Sequence, residues 1–346
     1  MTELKELTDP TYVPPKENLL NRFFYRLLND KRDLPFIYLT LKITFMMLPL
    51  GIALYLPFVK GISWWIIAAA YFTFNNFIFK GPFGLMLHCT SHRKFFKSNY
   101  DVLNHYLPWV IGPFFGQTPE TYYSHHVWMH HLENNLEEDR SSTMKYKRDS
   151  FGDFLIYFFD FLFFGMFRLM NYFSSKQRNN LIVNCLTGEF LFIALCVGLS
   201  FVNFPATLVV FILPFIISRF IMMLGNWTQH AFVAPEDPGN AYKNSITCVN
   251  TKYNHKCWND GYHISHHIRM GMHWTQHPEF FQEHMNEYVS NKAIVFTGIG
   301  YLTVFWLLMR KKYQALAKHA LNLNRSFSGD EEFIQVMKHR LAPIRS

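Results

Sequence analysis

The chain has 346 residues, of which 50% are hydrophobic, 18% aromatic and 17% charged, with 37 Phe and a net charge of +8. Soluble domains carry nearer ~25% charged residues, and here the apolar residues fall in long runs, which argues for a polytopic membrane protein. Five cysteines without paired spacing exclude a disulfide framework, and positive charge beside apolar runs reflects topology and anionic lipid rather than nucleic acid.

Residues 1–33 are polar and contain Pro10, Pro14 and Pro15. No short apolar segment with a small-residue cleavage site follows Met1, so this reads as a cytosolic N-terminal segment and not a cleaved signal peptide. Four stretches then have the ~20 apolar residues that a bilayer crossing needs. They are Leu34–Phe58, Ile62–Phe79, Leu181–Val202 and Ala206–Leu224. Val59-Lys60-Gly61 and Asn203-Phe204-Pro205 are short enough to close them into two hairpins. Lys5, Lys16, Arg22, Arg26, Lys31 and Arg32 precede the first hairpin, whose tip carries only Lys60. The excess of cytosolic positive charge therefore puts both termini in the cytosol.

Two apolar stretches fit poorly as spans. Phe151–Met170 carries Asp153, Asp160 and Arg168, which are costly at a bilayer centre, so an interfacial helix is expected. Ala293–Met309, if it crossed, would carry Arg310, Lys311, Lys312, Lys318, Arg325, Lys338, Arg340 and Arg345 outside, so an interfacial or re-entrant placement is expected. Tyr106–Phe115 is short and is expected to dip into the interface. The expected fold class is all-α: a polytopic membrane helical bundle, four spanning helices as two hairpins, with a cytosolic cap carrying a histidine-rich di-metal site. The divisions are a cytosolic segment 1–33, a membrane domain 34–309 and a basic cytosolic tail 310–346.

Ten of the seventeen histidines cluster beyond the ends of these runs. Positions three and four apart share a helix face. His88 and His92 are four apart, as are His126 and His130, with His131 expected to point aside. His263, His266 and His267 lie at i, i+3 and i+4, and Asn226 and His230 repeat the four-residue spacing. Any one pair is more often a surface or helix-end feature, and it is the set of four that argues for a site. So many nitrogen donors exceed the need of one ion, and imidazole suits iron, copper or zinc. His125 is a spare or supporting residue, and His273 and His277 are candidates for supporting roles behind the ligands.

This order of clusters resembles the membrane fatty acid desaturases and their hydroxylase relatives. Asn259-Asp260-Gly261-Tyr262-His263 and the Asn226/His230 element look most like the acyl-CoA type. The resemblance covers roughly residues 35–284. It implies two iron ions, molecular oxygen as co-substrate and an acyl chain as substrate, in a lipid or in acyl-CoA. The implied metal ligands are His88, His92, His126, His130, His131, His230, His263, His266 and His267, with Asn226 in contact through water. The second cluster departs from the acyl-CoA type, with three residues between His126 and His130 instead of two; alkane hydroxylases also have three. No His-Pro-Gly-Gly haem motif is present, so a separate electron donor of cytochrome b5 or ferredoxin type is implied, along with an endoplasmic reticulum location in a eukaryote. A di-iron hydroxylase and a non-enzymatic membrane metal carrier stay open as alternatives.

Overall fold

Large apolar side chains that face outward set the character of much of the chain. The computed structural model describes residues 1–344 and is mostly helical. Arg345 and Ser346, the end of the expected basic tail, lie outside the described residues. The chain divides into two units. One comprises Val13–His125 and Lys176–Phe220, and the other Met1–Tyr12, His126–Ser175 and the residues from Ile221 onward.

In the first unit, α1 (Leu19–Leu27) is a short helix capped by the Asn18 side chain. Two longer helices follow, α2 (Lys31–Ala53) and α3 (Gly61–His92), both long and apolar enough to cross a membrane. The second expected span is thus longer than its apolar core: α3 runs on through Lys80 to end at His92. Three polar side chains of α3 reach backbone carbonyls elsewhere in this unit. Tyr71 Oη donates to the carbonyls of Phe114 (3.2 Å) and Val210 (3.1 Å), and Asn75 Nδ2 donates to Phe114 at 2.8 Å. Lys80 Nζ donates to the Phe115 carbonyl at 3.3 Å and to Ser218 Oγ at 2.9 Å. The Phe114 and Phe115 carbonyls, at the end of the irregular 106–115 turns, are thus satisfied by side chains of α3.

The short helical run α4 (residues 121–133) and the 25-residue α5 (Phe151–Ser175) come next. The third membrane-length helix, α6 (Asn179–Gln229), has 51 residues, and the division between the units falls within it. The expected third and fourth spans lie on either side of a break at Asn203, where φ is −158° and ψ 96°. Asn203 Oδ1 accepts from the Ala206 N–H at 3.1 Å and so restarts the helix. Glu189 and Arg219, the charges near these spans, pair at 3.4 Å.

The second unit has a core of its own. Here β1 (Ile246–Val249) pairs in parallel with β2 (Ile294–Thr297), in register Ile246 with Ile294, so the fold is not purely α. A short helix, α7 (His263–Ile268), lies between the two strands in sequence. The Ala293–Met309 stretch, expected at the membrane interface, is β2 followed by α8 (Tyr301–Met309). Ile294, Phe296, Val304 and Leu308 are fully buried in one cluster with Leu316 of α9 (Tyr313–His319) and Phe333 and Met337 of α10 (Asp330–Arg340). That run is apolar because protein covers most of it. A four-residue strand of apolar and β-branched residues and a membrane-facing segment look alike by hydropathy alone. Each such buried side chain stabilises by roughly 1.5–3 kcal/mol. In α5, Phe154, Tyr157 and Phe173 are buried while Phe159, Phe163 and Phe167 are exposed.

Candidate metal centre

Three sequence clusters meet in the second unit. α4 carries His126, His130 and His131, His230 follows the end of α6, and α7 carries His263, His266 and His267. They sort into two groups. His130, His230, His263 and His267 hold their ligand atoms within 4.8 Å of one another. The Nε2 atoms of His263 and His230 are 3.1 Å apart, and those of His267 and His263 are 3.0 Å apart. In the other group, His131 Nε2 lies 3.0 Å from His126 Nε2 and 2.8 Å from His266 Nε2.

These spacings are informative. Two nitrogens at ~2.1 Å from one ion and ~90° apart are about 3.0 Å from each other. His130 Nδ1 donates to Asp139 Oδ2 at 2.7 Å, and His230 Nδ1 to the Asn244 carbonyl at 3.0 Å. Each ring therefore keeps its lone pair on Nε2, aimed at the other imidazoles. Buried lone pairs converging at this distance repel unless a cation sits among them. Burial, then the neighbouring His130, pushes the His230 pKa down to about 4. Burial, then His267 and His230, holds His263 well below the ordinary imidazole range. Both rings are neutral at pH 7, the form a metal binds.

The sequence spacing misassigned two partners. His126 and His130 were expected on one face, with His131 aside. The segment His126–His130 is a π-helical turn, so residues five apart come together. His126 accordingly meets His131, and His130 joins the other group. On α7, His263 and His267 stay together as i, i+4, but His266 turns to His131. His88 and His92 lie in the first unit, in the last turns of α3, with ring centroids 5.2 Å apart.

The supporting residues divide as well. Asn226 gives its Nδ2 to the Ser141 carbonyl (2.9 Å) and Tyr157 Oη (2.7 Å), which leaves Oδ1 as its acceptor end. His277 Nδ1 bonds Ser265 Oγ at 2.7 Å, and Ser265 Oγ donates to the Tyr262 carbonyl, so His277 braces α7 from behind. His273 caps the short turn at Trp274–Gln276, bonding Thr275 through Nδ1, and plays a local structural part. His125 is half-buried at the start of the π turn. Sequence reasoning missed Asp139 and Asn244, which fix the His130 and His230 rings. The only signal for Asp139 was an acid nine residues past a histidine pair. It also missed Asp9, which accepts from Tyr262 Oη at 2.6 Å and from the Asn250 N–H at 2.7 Å, tying the N-terminal segment to the residue before His263. Gly261 is fixed by space: a Cβ there would lie 2.4 Å from the Cys248 carbonyl oxygen.

The donor set is imidazole throughout, in two adjacent groups, and fits a pair of first-row metal ions. No curated protein and no solved structure gives a significant match to the chain. The sequence profile of the fatty acid desaturase family matches residues 62–298. That span holds both histidine groups and the α3 pair, and the chain belongs to the fatty acid desaturase family.

Proposed function

We propose that the chain is an oxygen-dependent fatty acyl desaturase that inserts a double bond into a membrane-associated acyl chain at a di-iron site. The observation that carries this is the convergence of seven imidazoles in two groups, with His130 and His230 held as Nε2 ligands by Asp139 and Asn244. His130, His230, His263 and His267 would hold one iron. His126, His131 and His266 would hold the other, with Asn226 contacting metal through water, and the resemblance adds His88 and His92 to the ligand set. Bound there, the iron pair would supply the oxygen-activating redox chemistry that removes hydrogen from an unactivated methylene. The chain's own part is placement: it keeps the rings neutral, fixes their tautomers and buries the ligands.

A separate cytochrome b5- or ferredoxin-type protein delivers the electrons, drawn to the basic cytosolic face. The substrate is an acyl lipid or acyl-CoA. Four crossings as two hairpins are supported by helix length, and the bias of positive charge supports termini and metals on the cytosolic side. α6, with 24 residues before the break at Asn203 and 26 after it, offers arms of ~36 and ~39 Å against a hydrocarbon core of ~30 Å. In a eukaryote the endoplasmic reticulum is the expected membrane.

One observation favours a hydroxylase instead. The three-residue spacing between His126 and His130 is shared with alkane hydroxylases. A metal carrier is less well supported, because the intramembrane charges Glu189 and Arg219 are paired with each other. Expression in a host of defined fatty acid profile decides, with mass analysis of its lipids and iron measurement on the purified protein. Loss of two hydrogens supports the desaturase, and gain of an oxygen atom supports the hydroxylase. His267→Ala should abolish turnover, and His319→Ala should leave it nearly unchanged. Equal activity in the two variants refutes the site.

A further inference from the structure

α7 carries three of the converging imidazoles in six residues and serves both groups, with His263 and His267 in one and His266 in the other. A helix this short does not hold its own shape in water, where even ~12–15 residues are marginal. Its orientation is therefore set by what braces it. It starts at Tyr262, whose carbonyl accepts from the His266 N–H at 3.1 Å and from Ser265 Oγ at 2.9 Å. Tyr262 is fully buried. Its ring lies nearly parallel to that of His277 and edge-on to that of Phe281, and its hydroxyl donates to Asp9 Oδ2 at 2.6 Å.

Asp9 reaches this place from 253 positions upstream. Its carboxylate is buried and meets three donors: the Tyr262 hydroxyl, the Asn250 N–H at 2.7 Å and the Thr251 N–H at 3.2 Å. The chain on either side of it is latched to the same two loops. Asn250, with φ 55°, donates through Nδ2 to the Glu6 carbonyl at 2.7 Å and accepts from the Thr8 N–H at 2.8 Å. Asn259, with φ 56°, donates to the Pro10 carbonyl at 2.7 Å. Residues 6–10 thus form a strap that joins the turn after β1 to the turn before α7.

We propose that Asp9 is a positioning residue for the metal centre: through the Tyr262 hydroxyl it fixes the start of α7, and so the places of His263, His266 and His267. This rests on the metal reading of the histidine groups. Without Asp9, a buried hydroxyl and two backbone N–H groups lose their acceptor, and α7 is free to shift. Asp9 touches no ligand, so its effect is on ligand geometry alone.

The test is the Fe(II) affinity of the full-length protein, by chelator competition, together with the visible spectrum of the Co(II)-loaded protein, whose band intensities follow ligand geometry. Asp9→Ala should lower iron affinity about tenfold, the lower end of what partners of metal ligands govern, and should alter the Co(II) spectrum at full loading. Tyr262→Phe keeps the ring, removes the hydroxyl and should act in the same direction. The double variant should be no worse than Asp9→Ala, because both changes break one contact. Asp9→Asn should recover most of the affinity, since its amide oxygen still accepts from Tyr262. Lys5→Ala, at an exposed position of the same segment, should change neither readout. A role confined to stability would lower the Tm of Asp9→Ala and leave its Co(II) spectrum native. That result overturns the proposal, as does additivity of the two single variants. Should Asp9→Ala fail to fold, Tyr262→Phe decides, and native affinity and spectrum in that variant overturn the proposal. A native protein that takes up no metal refutes the reading of the site and this inference with it. A native protein that binds metal no better than its Asp9→Ala variant refutes this inference alone.

Discussion

Asp139 is the most consequential residue that spacing did not disclose. Its carboxylate accepts from His130 Nδ1 and from two backbone N–H groups at 2.7–3.1 Å, so it fixes one ring and folds the loop beneath it. Partners of this kind typically govern ~10–100-fold in metal affinity. Asp139→Ala should therefore lower iron affinity by about that factor, read by iron content during a chelator titration, and Asp139→Asn should do less harm because its amide oxygen still accepts. Equal iron retention in the alanine variant and the native protein would contradict this. Acid acts at the same scale. His230 titrates at about 4 when folded, against about 6.5 unfolded. Between those values the unfolded chain binds more protons. The stability is therefore whole above pH ~6.5 and is lost as the pH falls toward 4, up to about 3 kcal/mol from this one ring. Iron should leave in the same window, because a protonated imidazole cannot bind it. A Tm of the chelator-stripped protein that stays flat from pH 7.5 to 5 would exclude this account.

At the scale of elements, the π turn at His126–His130 explains the odd spacing of the second cluster. With two residues between its first two histidines, as in the acyl-CoA type, the first and third are i, i+4 and share an α-helical face. This chain has one residue more, and the π turn absorbs it, so His126 and His131 still meet at i, i+5. Deleting Val127 should thus let the turn revert to α with the same pairing and keep most of the bound iron. Inserting an alanine after Val127 should abolish iron binding. Iron stoichiometry on both variants checks it, and loss of iron in the deletion would refute the compensation. The π turn also marks where the sequence was legible and where it was not. The clusters announce themselves only as a set, since any one pair at these spacings is more often a surface or helix-end feature. Which ligand joins which group depends on local helix pitch, and no residue in His126-Val127-Trp128-Met129-His130 encodes that visibly. The β1–β2 pair was hidden for a related reason. Ile294–Thr297 is as apolar as a membrane segment, and its partner strand lies 48 positions away in register, beyond the reach of any local pattern.

At the scale of the whole molecule, charge and helix length act together on topology. The chain's +8 net charge is distributed so that the expected hairpin tips carry almost none of it: Lys60 stands at one, and Asn203-Phe204-Pro205 at the other carries no charge. α3 has 32 residues and so spans ~48 Å, about 18 Å more than a hydrocarbon core requires. The excess lies on the side of His88 and His92, because the other end begins at Gly61 beside the tip. On the proposed topology, with Gly61 beside the lumenal tip, this excess would carry the last turns of α3 to the cytosolic side, where an electron donor could reach. Single cysteines test this in a background whose five native cysteines are replaced by alanine or serine. Positions 60 and 203 should react with an impermeant maleimide only from the lumenal side of sealed vesicles. Position 318, on the exposed side of α9, should react only from the cytosolic side. Labelling of 60 and 203 from opposite sides would mean that one of the two expected hairpins does not turn on the lumenal side. The two hairpins would then be lost as a description of the membrane part, while the histidine groups of the second unit, which lie within one unit of the chain, would be unaffected.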